Sequence, residues 1–123
     1  MIVAGFGCMA GCSVEELLTV LRAAEASCGV KAHILAAPRF KQREAGLVAL
    51  SGRLAMSMRW MDDAAMDAVA DLCRTHSAPS LRVAGVPSVA EASALAAAGE
   101  GARLIQPRIA HPRATCALAE SGE

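Results

Sequence analysis

The stretch 80–95, SLRVAGVPSVAEASAL, constrains the fold of this chain more than any other. A short apolar segment meets Gly85, and Pro87 restricts the turn that follows. Ser88 then opens an alanine-rich helical pattern, with Glu91 in the reciprocal position of a capping box. A helix launched from such a turn sets unpaired backbone N–H groups at the edge of the core. A second polar cluster, 39–44, follows the apolar run 34–37. If these two switch points face one another, they form a small cleft that reads anions.

The same alternation runs through the rest of the chain. Ile2, Val3, Ala4, Gly5 and Phe6 read as a buried opening strand, and 7–11 as a flexible turn. Ser13 caps the next helix with Glu16 as its reciprocal partner. Leu17, Leu18, Leu21 and Ala24 form that helix's apolar stripe, and Gly29 ends it. Residues 30–36 predict a second strand, closed by Pro38. A helix starting between Lys41 and Glu44 carries Leu47, Leu50 and Leu54 and ends at 53–55. Residues 56–60 predict a short third strand.

Asp62 or Asp63 caps a helix through Ala65, Met66, Val69 and Leu72, broken at 76–79. Residues 81–84 predict a further strand or an extended loop, followed by a helix over 89–98. Gly99 and Gly101 release the chain into a strand over 102–106 that Pro107 limits. The last strand covers 114–119, with Arg108, His111 and Arg113 in the loop before it. This order predicts an α/β fold: a three-layer sandwich with a central, mostly parallel or mixed β-sheet flanked by helices, in which the last strand returns antiparallel. No internal repeat or linker divides it, so residues 1–123 are read as a single domain.

Composition narrows the function. The 123 residues are 54% hydrophobic and 20% charged, which favours a compact core over disorder. Twelve basic residues balance twelve acidic ones, and tyrosine is absent, so neither a basic nucleic-acid footprint nor a base-stacking platform is expected. Without a basic leader or a membrane-length apolar run, the expectation is a cytoplasmic protein with no membrane partner. The five cysteines are expected to be reduced.

Several residues bear on chemistry. Gly5, Gly7 and Gly11 do not complete a dinucleotide fingerprint, and no lysine makes the turn a Walker loop. Gly7, Cys8, Gly11 and Ser13 can still bring backbone donors to an oxygen-rich ligand. Cys8 and Cys12 lack a second ligand pair, so neither a metal site nor a resident cofactor is expected. Lys41 and Glu44 are spaced to share a helix face, where Lys41 can pair with a substrate carboxylate and Glu44 can orient it or exchange a proton; the alternative is a solvated pair assisted by Arg39 and Arg43. His76 and His111 are further candidate bases, weaker than any ligand series would be. Ser88 and Glu91 are read mainly as structural capping, and with Gly85 they are also candidates for ligand binding, since the positive helix end can offer backbone donors to ligand oxygens. Arg108, Arg113 and Thr115 supply guanidinium groups and a hydroxyl near a sheet edge.

These segments resemble the CobE family of cobalamin biosynthesis, which also occurs as the C-terminal domain of CbiG proteins. The resemblance rests on VAGFGCMAGCSVEEL at 3–17, KQREAGLVAL at 41–50, GVPSVAEASAL at 85–95 and ATCALAE at 114–120. The family's helix-start pattern, A-T-x-x-x-K-x-x-E-x-G-L, is matched at Lys41, Glu44, Gly46 and Leu47, with Ala37 in place of the threonine.

The resemblance implies a part in building the corrin ring of vitamin B12, with a highly carboxylated tetrapyrrole as ligand. Three roles follow from it. The chain binds or presents a precorrin intermediate; or it acts as a lactone hydrolase or rearrangement enzyme, as full-length CbiG-like enzymes open a lactone and release acetaldehyde; or it is a non-catalytic subunit that stabilises a corrin-ring methyltransferase. A homo-oligomer is compatible with each.

Overall fold

The computed structural model describes residues 1–122. Five strands, Ile2–Cys8 (β1), Ile34–Pro38 (β2), Met58–Met61 (β3), Arg103–Ala110 (β4) and Ala114–Glu120 (β5), form one sheet in the order β3-β2-β1-β5-β4. β1, β2 and β3 run parallel, while β5 runs antiparallel to both of its neighbours. The sheet is mixed, as the alternation of elements predicts.

Period-two alternation sorts β1 onto two faces. Ile2, Ala4 and Phe6 pack with Leu17, Leu18 and Leu21 of the helix Val14–Cys28 (α1) and with Leu47 and Leu50 of Ala45–Leu54 (α2). Val3 points the other way, with Ala36, Ala117 and Ala119, onto the alanines of Val89–Ala98 (α5). Two shorter helices, Asp63–Asp67 (α3) and Ala78–Ala84 (α4), precede α5. The result is the expected three-layer arrangement of helices on both faces of a sheet.

α5 lies unusually close to β1 because small side chains line both surfaces. A Cβ on Gly5 would run into the carbonyl oxygen of Ala90 and stand 2.5 Å from the amide nitrogen of Ala94. Every residue of α5 except Val89 and Ala96 is buried.

Several expectations need correction. Residues 81–84 are helical: Ser77 accepts the Ser80 N–H, Pro79 sits in the first turn where its missing N–H costs nothing, and Gly85 closes α4 at φ 74°. The second strand starts later, at Ile34, and includes Pro38, because Ala32 and His33 are engaged in the approach by Glu25 and by the backbone of Ile2. The helix expected from Asp62 through Leu72 is α3 followed by a separate 3-10 turn, Ala70–Leu72. β4 runs through Pro107 to Ala110, so Arg108 lies in a strand and not in a loop. β4 is an edge strand with register shifts between Leu104 and Gln106 and between Gln106 and Ile109, which is where a proline is tolerated.

Candidate functional site

The C-terminal ends of β1 and β2, the β4–β5 turn and the start of α5 meet at one edge of the sheet. In a sheet with parallel strands, the crevice beyond their carboxyl ends is where loops converge on a ligand. The cleft here has a volume of about 480 Å³. Gly7, Cys8, Met9 and Ala10 contribute from β1 and its loop, and Pro38, Phe40 and Lys41 from the end of β2. Ser77, Pro79, Ser80 and Val83 of α4 form a wall. Val89 opens α5, and Arg108 with residues 110–115 closes the opposite side. Lys41, Arg108, His111 and Arg113 are among the lining residues, and no carboxylate is. A second hollow, of about 530 Å³ between the 68–72 segment and the end of α5, has Glu100 as its one charged lining residue. It is not suited to anions.

Internal contacts hold the loops in place. Glu44 stands in the extended N-cap position of α2, and its Oε1 accepts the Gly11 N–H at 2.6 Å. Gly11 has φ 80°, a conformation glycine adopts without strain. Gly46 lets α2 approach the Cys12 carbonyl so closely that a Cβ would clash with it. Across the cleft, Arg113 Nη2 donates to the Ala10 carbonyl at 2.9 Å, its Nε lies 3.5 Å from Glu16 Oε2, and its own carbonyl accepts the Met9 N–H at 2.9 Å. Ser13 and Glu16 form the full reciprocal cap expected of them, at 3.1 and 2.8 Å.

The Cys8 thiol in the lining and the buried Cys12 behind it are protonated. Burial, followed by the neighbouring Cys12, pushes the Cys8 thiol up to about 12, and burial also raises Cys12. No cluster of three or more metal-ligating side chains exists among the described residues.

The family profile "Cobalamin synthesis G C-terminus" matches residues 2–119. The chain belongs to the CbiG C-terminal family. The crystal structure of CobE, a protein from the cobalamin biosynthetic pathway, is similar to it with a TM-score of 0.91 and 34% identity, over 97% of this chain and 89% of that one. Cobalamin biosynthesis protein chiG from Agrobacterium tumefaciens strain C58 gives 0.81 and 40%, over 100% of both chains. A protein described as a cobalamin biosynthesis protein G homolog from Sulfolobus solfataricus shares the fold at 0.69 and 20%, over 98% of this chain and 36% of that one. No curated protein matches. The chain is thus a cobalamin-biosynthesis protein of the CobE and CbiG C-terminal family.

In this CbiG C-terminal domain the cleft collects Gly7, Cys8, Lys41, Arg108, His111, Arg113 and Thr115 from the residues singled out in the sequence. Thr115 Oγ1 lies 3.4 Å from the Gly7 carbonyl oxygen. The cleft lining does not include Gly11, Ser13, Arg39, Glu44, His76, Gly85, Ser88 or Glu91. Lys41 and Glu44 do not share a helix face: Lys41 ends a 3-10 turn, Arg39–Lys41, before α2 begins, and Glu44 turns to Gly11. Ser88 accepts the Glu91 N–H at 3.3 Å, but the Glu91 carboxylate does not return to Ser88. It is wholly buried and accepts from Arg74 N at 2.7 Å, Thr75 N at 2.9 Å, Thr75 Oγ1 at 2.7 Å and Arg108 N at 2.9 Å. Ala37, where the family pattern has threonine, is buried in the core.

Sequence reasoning missed Met9, Phe40 and the α4 wall. The signal for α4 was available in Ser77 two residues ahead of Pro79, a helix-start pattern. The exposure of Phe40, Val83 and Met9 at the rim, 48%, 72% and 57%, has no local sequence signature.

Proposed function

We propose that this domain binds a carboxylate-rich precorrin-type macrocycle and presents it to another enzyme of the pathway, such as a corrin-ring methyltransferase. The observation that carries the reading is the lining of the cleft, where cationic side chains meet apolar surface with no acid among them. Among the described residues, the side chains of Lys41 and Arg108 make no hydrogen bond or ion pair to the protein, so their charged heads are available to ligand carboxylates. Phe40, Pro79, Val83 and Val89 supply the apolar contact a ring needs. The first turn of α5 adds a positive helix end beside Gly7, whose Cβ would lie 3.8 Å from the Ala90 nitrogen. An open cleft of about 480 Å³ takes one edge of such a macrocycle and leaves the remainder for a partner.

The acid–base candidates favour holding over hydrolysis. Glu44 is occupied by Gly11, His76 lies outside the cleft lining, Cys8 is a thiol at neutral pH, and His111, the one candidate base in the lining, has no carboxylate beside it there to orient it. Titration with anaerobically prepared precorrin intermediates tests the reading. Saturable binding is expected for at least one, with Arg108→Ala and Lys41→Ala each weakening it by about tenfold through loss of a charged hydrogen bond. No saturable binding across the series would sink it. Consumption of a lactone-bearing intermediate by the purified protein would transfer the assignment to the hydrolase reading.

A further inference from the structure

Glu91 is the ionisable group whose surroundings the binding reading leaves unused. Its carboxylate lies inside the molecule and meets four donors, none of them cationic. A helix cap does not require this, since the Ser88 hydroxyl already satisfies the Glu91 N–H. What the four bonds do share is location. Two backbone donors, Arg74 and Thr75, and the Thr75 hydroxyl belong to the segment that leads into α4 at Ser77. The fourth donor is the N–H of Arg108, which lies within the second register shift of β4, where Gln106 pairs with Leu118 and Ile109 with Cys116. The shift frees that N–H from the ladder to meet Glu91.

Both segments are walls of the cleft, and the side chains that pack them onto the core there, Ala84 of α4 and Ile109 of β4, are partly rather than fully buried. α4 has no buried residue of its own, so its place is set by its ends: the Ser77 N–H on the Pro87 carbonyl at 2.8 Å, the Gly85 turn, and the Glu91 bonds two residues upstream. β4 is an edge strand with two shifts in register. We propose that Glu91 is a positioning residue for anion recognition, holding Arg108 and the α4 wall at a fixed separation from beneath the cleft without touching the ligand. This inference rests on the binding reading above for its consequence, but the tie between the walls can be read without a ligand.

The test compares wild type with Glu91→Gln, Arg108→Ala and the double variant. One readout is amide hydrogen exchange by segment, and the other is the dissociation constant for uroporphyrin III, an air-stable octacarboxylate macrocycle. In Glu91→Gln, exchange should accelerate at least tenfold at 74–84 and 106–110 together, with β1 and β5 unchanged. The dissociation constant should rise about tenfold. The loss in the double variant should fall short of the sum of the two single losses, because Glu91 acts in part through Arg108 and only the part that runs through α4 remains once that side chain is gone. Additive losses, an unchanged constant in a folded Glu91→Gln, or uniform loosening of the whole domain would each overturn the inference. If wild type does not bind uroporphyrin III, the binding reading fails in this form, while the paired or unpaired loosening still decides whether Glu91 ties the walls. Should Glu91→Gln fail to fold, Thr75→Val removes a single bond and must show the same pattern at about threefold; no change there counts against the proposal.

Discussion

A carboxylate buried without a cation depends on the donors around it, and Glu91 shows which influence wins. Burial acts to raise its pKa, but the N–H groups of Arg108, Thr75 and Arg74 and the Thr75 hydroxyl outweigh burial and hold the group below its ordinary 4.5. A group depressed in the folded state adds stability above its unfolded pKa, and the contribution is lost as pH falls through the folded value. Wild type is therefore expected to keep its urea midpoint from neutrality to about pH 5 and to lose it progressively below pH 4.5. Glu91→Gln, less stable at neutral pH, has no such charge to lose, so the gap between the two midpoints narrows in acid. Glu16, held low by the Ser13 N–H, titrates in the same range in both proteins, so the comparison isolates Glu91. A gap of constant size from neutral to strongly acid conditions would contradict this account.

At the scale of elements, the contact between α5 and β1 leaves least room for change. A methyl at Gly5 would meet the backbone of Ala90 and Ala94, which cannot rotate away as a side chain can. Gly5→Ala is expected to cost about 3 kcal/mol or more, since relief requires moving a helix off a sheet. Gly52→Ala, in α2 with nothing within 4 Å of the new Cβ, should instead stabilise by about 0.5 kcal/mol. Urea melts of the two variants check both signs. The bounds of α5 and the Ser13 cap of α1 were legible in the sequence because local hydrogen bonds decide them. Pro79 and Pro107 were misread as breaks: one sits in a first helical turn and the other on an edge strand, and only the tertiary position tells a permitted proline from a terminating one. Glu91 had the spacing of a cap but is drawn off by Thr75 and Arg108, residues distant in sequence. For the same reason, Lys41 and Arg108 could be named as cleft cations, whereas the wall opposite them could not.

In the molecule as a whole, the last strand to be made is an interior strand of the sheet. β5 lies between β1 and β4, and its register with β1 pairs Ile2 with Glu120 and Cys8 with Ala114, across nearly the full length of the chain. Cys116, Ala117, Leu118 and Ala119 are fully buried, and they complete the cores on both faces. The same hairpin delivers Arg108, His111, Arg113 and Thr115 to the cleft, so fold and candidate site close in one event. Long-range pairing of this kind must bear its loop-closure entropy before any contact repays it. A chain ending at Gly101 retains β1, β2, β3 and every helix, yet β1 loses its antiparallel partner and both cores lose their central side chains. Burial of Leu118 alone contributes about 1.5–3 kcal/mol, a large share of the roughly 5–15 kcal/mol typical of a domain. The truncated chain should therefore show no cooperative urea transition by circular dichroism. Adding a synthetic peptide covering 102–123 should restore the transition together with saturable binding of the macrocycle. A cooperative transition in the 1–101 chain alone would mean that the three parallel strands and their helices form a folding unit without the hairpin, and that the hairpin's role is confined to the cleft.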